Sequence, residues 1–168
     1  LLRELRVGLA GLRCLVIGNG EMGRLTAGAL VEQGCDVKMT LRRYKTGEVV
    51  IPPGCRAIPY EERLDEIARA DVVVSATASP HHTLRYEEVL PHLDGAPKLF
   101  FDLAVPRDIS SRLSGAPGVS LYDIDSLGAG CADEAQNAAM AAARGILEEY
   151  RREFEDWYYF RGLVPLVN

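Results

Sequence analysis

The stretch LVIGNGEMGRLTAGAL, residues 15–30, constrains this 168-residue chain more than any other. An apolar run, predicted as a strand at Cys14–Ile17, passes into Gly18, Gly20 and Gly23 at G-x-G-x-x-G spacing, and then into an amphipathic helix predicted over Glu21–Gln33. In that context the first glycine allows a tight turn, the second lets the backbone come close to a pyrophosphate, and the third lets the helix pack on the strand. The opening helix turn adds free N–H groups and a partial positive charge. Gly18, Asn19, Gly20, Glu21, Met22 and Gly23 are therefore the candidate pyrophosphate loop. The Glu21 carboxylate would repel that ligand, so it is expected to point away and to interact with the helix N-terminus.

Beyond the loop, short apolar runs alternate with helical stretches, the pattern of a parallel sheet covered by helices. Strands are predicted at Cys14–Ile17, Val37–Leu41, Arg56–Ile58, Val72–Ser75, Leu99–Asp102 and Val119–Tyr122. Helices are predicted at Glu21–Gln33 and Tyr60–Ala70, with shorter ones around Tyr86–Leu90 and Ile109–Leu113. The fold class is α/β: a Rossmann-like, doubly wound, mostly parallel sheet. The crossover after Leu41 is an exception, because Gly47, Pro52, Pro53 and Gly54 break a helix interior; an irregular loop is expected, with a strand at Val49–Ile51. From Cys131 onward Ala135, Ala139, Ala142, Ile146, Tyr150, Phe154 and Trp157 recur at helical spacing. A long C-terminal helix over 132–160 would run about 43 Å, against about 30 Å for a small domain. Its aromatic end either meets a partner surface or lies flat across its own sheet. The chain thus divides into a nucleotide-binding domain, 1–130, and a long linker helix and tail, 131–168.

A net charge of −5 argues against broad contact with a nucleic-acid backbone. Cys14, Cys35, Cys55 and Cys131 form no CxxC pair, so neither a metal site nor a disulfide framework is expected, and a reducing cytoplasm suits them. No apolar run reaches membrane-spanning length and no signal peptide is visible. The chain opens LLRELRVGLAG without an initiator Met and reads as a piece of something longer.

Three further stretches carry chemistry. The second strand ends Thr40, Leu41, Arg42, Arg43, where NAD sites place an acid for the ribose hydroxyls. Asp36 precedes the strand and Glu48 lies well past it, so Arg42 or Arg43 is positioned for a 2′-phosphate and NADPH is the expected cofactor. The fourth strand leads into a small-residue loop, Ser75–Pro80, containing Thr77 and Ala78, that admits a flat ring; His81 and His82 after it are expected to cap a helix or face solvent, and His92 has no visible partner. The fifth strand leaves the core through DLAVPRD, residues 102–108. Asp102 and Ala104 would stand beside the nicotinamide end of the crevice, with Asp102 and Arg107 holding the loop as a buried pair or Arg107 reaching a substrate anion.

With these residues in view the sequence resembles the NADPH-binding domain of the glutamyl-tRNA reductase family, through LVIGNGEMG at 15–23, ADVVVSATASP at 70–80, FDLAVPRDI at 101–109, VSLYDIDSL at 119–127 and ILEEYRREFEDW at 146–157. The resemblance implies that Gly18, Gly20 and Gly23 hold a pyrophosphate, Arg42 a 2′-phosphate, and Thr77 and Ala78 the nicotinamide. It implies reduction of a glutamyl thioester on an enzyme cysteine to glutamate-1-semialdehyde in tetrapyrrole biosynthesis. The family's cysteine lies in a Thr-Cys-Asn-Arg context that this chain lacks. No catalytic residue is therefore expected here, and the chain alone should be inactive. Glutamyl-tRNA would be met only through other domains, and the full-length protein would be a homodimer. Leu41 stands where the family has Asn, and the irregular loop replaces its second helix. Two alternatives remain: the nucleotide domain of another dehydrogenase, of shikimate or precorrin-2 type, or a non-catalytic interaction domain.

Overall fold

The computed structural model describes residues 8–42, 50–128 and 151–152. The chain divides into two compact units, Leu1–Leu127 and Gly128–Asn168. In the first, β1 (Arg13–Ile17), α1 (Glu21–Glu32), β2 (Asp36–Leu41), β3 (Arg56–Pro59), α2 (Arg63–Arg69), β4 (Val72–Ser75), α3 (Tyr86–Val89), β5 (Lys98–Asp102) and β6 (Val119–Asp123) follow in order, and α4 (Ile124–Gly128) runs across the boundary. Short 3₁₀ turns at Tyr60–Glu62, Leu90–His92 and Ser111–Gly115 complete the connections. In the second unit Arg151 and Arg152 are helical and exposed; the rest of the predicted long helix, with Cys131, lies outside the described residues.

The six strands form one sheet in the order β3-β2-β1-β4-β5-β6, and every pairing is parallel. This is the doubly wound order, in which the chain steps outward from β1 in one direction and from β4 in the other. The inner strands are apolar on both faces, as burial on both sides requires. Leu15, Ile17, Val73 and Phe100 meet Ile67, Leu84, Val89 and Leu113 on one face. Cys14, Val16, Val37, Met39 and Phe101 meet Ala27 and Leu30 of α1 on the other. Pro59 sits in β3 at the sheet's edge, where its missing donor is tolerated. Helix α1 stops in a Schellman motif: Gly34, at φ +82°, donates to Val31 O (2.9 Å) and Cys35 to Leu30 O (3.1 Å).

Some elements differ from expectation. The predicted helix at Ile109–Leu113 is instead a bridge followed by the 3₁₀ turn at 111–115. Ile109 pairs with Leu84, because the Ser110 N–H donates to Leu84 O (3.0 Å) and the Leu84 N–H to Asp108 O (3.1 Å). Val50 and Ile51 are not strand, and residues 50–55 follow an irregular path; 43–49 lie outside the described residues. His92 does have a neighbour, its Nδ1 standing 3.6 Å from Asp65 Oδ1. His81 and His82 are exposed, and the residue that precedes α3 as its cap is Arg85.

Candidate functional site

The glycine loop leaves β1 at the point where the strand order reverses. Gly18 adopts φ +108°, and a Cβ there would stand 2.6 Å from Ala76 O, so only glycine fits between β1 and the loop after β4. A Cβ on Gly23 would come within 2.0 Å of Gly18 O, and its absence lets α1 pack directly onto the turn. Gly20 has no protein atom within 4 Å of the corresponding position, so its backbone is open to a ligand from that side. The Thr40 hydroxyl, buried at the end of β2, accepts the Gly18 N–H (3.1 Å) and fixes the loop to the second strand. Arg24 closes the loop from the helix side by donating to Asn19 O (3.1 Å).

These elements surround a cleft of about 380 Å³, walled by the glycine loop at Gly18–Gly20, the end of β2 at Thr40 and Arg42, Tyr60, and the loop 76–80. Seven of the predicted residues therefore meet there: Gly18, Asn19, Gly20, Thr40, Arg42, Thr77 and Ala78. Gly23 lies buried beneath them, while Glu21 and Met22 are exposed on the first turn of α1 outside the wall. Arg43 lies outside the described residues. Among the described residues the wall carries no acid, and Asp36 is held by Arg56 (2.6 Å) at the opposite end of β2. The arrangement suits a dinucleotide: open backbone at Gly20 and a helix N-terminus, with a guanidinium where a ribose-binding acid would otherwise stand.

Asp102 and Ala104 are buried away from this cleft. The Asp102 carboxylate accepts the backbone N–H groups of Ala104 (3.1 Å) and Ile109 (2.8 Å), pinning both ends of the loop that follows β5. Arg107 pairs with Asp123 rather than with Asp102. The peptide bond between Val105 and Pro106 is cis.

Two residues of the site were not singled out in the sequence. Asp108, fully buried, accepts the Ser75 hydroxyl (2.8 Å), the Thr77 N–H (2.8 Å) and the Thr77 hydroxyl (2.7 Å), so the β5 loop holds the cleft wall through it. Burial pushes its carboxyl above the ordinary aspartate value despite these donors. The available signal is an acid at the far end of the loop after β5, facing the Ser/Thr-rich loop after its neighbour β4. Tyr60 forms the other part of the wall, with the Arg42 guanidinium carbon 4.3 Å from its ring centroid.

A family model described as shikimate / quinate 5-dehydrogenase matches residues 2–129. Glutamyl-tRNA reductase of Acetivibrio thermocellus is 43% identical over 155 residues, covering 92% of this chain and 46% of that protein. The Alkaliphilus oremlandii glutamyl-tRNA reductase is 42% identical over 147 residues, covering 88% of this chain and 44% of that protein. Among solved structures, glutamyl-tRNA reductase from Methanopyrus kandleri superposes with a TM-score of 0.70 at 31% identity, covering 94% of this chain and 42% of that one. The chain therefore spans less than half the length of these relatives. They favour the glutamyl-tRNA reductase resemblance over a shikimate- or precorrin-2-type alternative, even though the family model carries the shikimate name. With the six-stranded order, the glycine cradle and these matches together, the chain belongs to the shikimate / quinate 5-dehydrogenase family, and within it is matched to the Rossmann-like domain of the glutamyl-tRNA reductases.

Proposed function

We propose that this chain is the NADPH-binding domain of a glutamyl-tRNA reductase that forms glutamate-1-semialdehyde for tetrapyrrole biosynthesis in the cytoplasm. The observation that carries the cofactor choice is Arg42 at the end of β2, on a wall that holds no acid among the described residues. A guanidinium there binds a 2′-phosphate by paired charge-assisted hydrogen bonds, which a ribose hydroxyl cannot match. The bound nicotinamide supplies the hydride. Gly18, Asn19 and Gly20 take the pyrophosphate, and Thr77 and Ala78, braced by Asp108, border the nicotinamide ring.

The acceptor thioester belongs to residues outside this chain. Cys14 is buried, and burial together with the neighbouring Cys35 pushes its thiol well up; burial also raises Cys55. Neither gives the exposed thiolate that a nucleophile needs. Residues 1–130 form the nucleotide domain and 131–168 the connection onward. Glutamyl-tRNA is engaged by the full-length homodimer, and this chain alone turns over no substrate.

Calorimetric titration with NADPH and NADH, repeated with Arg42→Ala, tests the reading. NADPH should bind more tightly, and the variant should lose about 1.5–3 kcal/mol toward NADPH and little toward NADH. Equal affinity of the wild type for both nucleotides would refute the cofactor assignment.

A further inference from the structure

Beside the cleft, two guanidinium groups lie against one aromatic ring. The Arg42 Cζ stands 4.3 Å and the Arg63 Cζ 4.2 Å from the Tyr60 ring centroid. Arg63 is tied down: its Nε donates to Thr83 O (3.2 Å), its Nη1 to Tyr60 O (3.3 Å), and its Nη2 is 3.9 Å from Glu88 Oε2. Tyr60, the first residue after β3, packs its ring against the core on one face of the sheet. The ring is therefore held from within the fold, whereas Arg42 stands on the exposed rim of the cleft.

An arginine that grips a phosphate from an exposed position gives up much of its rotamer freedom. A ring that already orients the guanidinium plane removes part of that loss before the ligand arrives. We propose that Tyr60, backed by Arg63, sets the preference for a 2′-phosphorylated dinucleotide by pre-orienting Arg42. The inference rests on the cofactor reading above and deepens it: both residues are positioning residues that act on the phosphate through Arg42.

The test titrates the 168-residue chain and its Tyr60→Leu, Tyr60→Phe and Arg42→Ala variants with NADPH, NADH, 2′,5′-ADP and 5′-AMP. Tyr60→Leu should weaken NADPH and 2′,5′-ADP roughly three- to thirty-fold while leaving NADH and 5′-AMP within about two-fold. Tyr60→Phe, which keeps the ring, should bind like the wild type. Should Tyr60→Leu fail to fold, Arg63→Gln carries the test, with a smaller loss in the same direction. Equal weakening of all four ligands would make Tyr60 a structural residue and overturn the inference, as would no change at all. If Arg42→Ala loses the 2′-phosphate preference while the ring variants keep it, the cofactor reading stands and only this inference falls. If the wild type shows no such preference, both fall together.

Discussion

Asp108 shows how one buried side chain sets the shape of a ligand wall. Its two oxygens take three donors from Ser75 and Thr77, and its own carbonyl accepts the N–H groups of Thr83 (2.8 Å) and Leu84 (3.1 Å). The loop from Ala76 to Thr83 is thereby anchored at its start and its end. Replacement by alanine takes the acceptor from those donors, the Ser75 hydroxyl in a buried site, and should cost about 1–3 kcal/mol of stability. Asparagine supplies one acceptor and should cost less, with a pH signature. The Asp108 carboxyl is raised in the folded state, so the folded chain holds its proton more firmly than the unfolded chain. Wild-type stability therefore declines relative to Asp108→Asn as pH rises from the ordinary aspartate range through the raised value. Urea unfolding of the two proteins across that range would show the gap widest in acid; a gap that widens upward in pH would contradict the assignment.

Helix α2 is docked to the sheet by charge at its middle and at its C-terminus. Buried Lys98 of β5 donates to Ala68 O and Ala70 O, both at 2.9 Å, satisfying carbonyls that a helix C-terminus leaves open. Glu66 on the helix pairs with Lys38 of β2 and with Arg69 (2.7 Å). Burial alone would raise the Glu66 carboxyl, but the hydrogen bonds and charges of Lys38 and Arg69 outweigh it and hold the group below the ordinary glutamate value. Its contribution is present above that ordinary value and lost as pH falls through the lowered one. Glu66→Gln should cost about 1–3 kcal/mol near neutrality, and the difference should close in acid where the wild type is also neutral. An undiminished difference under acid denaturation would count against this account. The strands were legible in the sequence because burial on both faces leaves uninterrupted apolar runs such as Val72–Val74, and Gly18 and Gly23 because their constraint is steric. Tyr60 and Asp108 were not, since each acts across a crossover, on Arg42 and on Thr77. Asp102 likewise acts within its own loop, its carboxylate accepting the backbone N–H groups of Ala104 and Ile109.

At the scale of the molecule, the cleft draws on both halves of the sheet. Its walls come from β1 and β2 on one side of the reversal point and from the loop after β4 on the other. A ligand spanning them couples two sets of strands whose shared seam is the β1–β4 pairing, Cys14–Ile17 against Val72–Ser75. Each face of the sheet carries its own buried cluster, so the sheet has two cores to lose on unfolding. Cofactor that binds only the folded state adds about 2.7 kcal/mol when present at about a hundred times its dissociation constant. For a chain of this length that corresponds to a rise of roughly 5–10 °C in Tm. We expect NADPH to produce that rise in a thermal melt and NADH, at equal concentration, a smaller one; in Arg42→Ala the two should coincide. Hydrogen exchange on the same samples should slow in β1, β2 and the 76–80 loop together, because closing the cleft constrains both sides of the seam. Protection confined to the glycine loop would mean that the ligand touches only one half, and the spanning site would have to be abandoned.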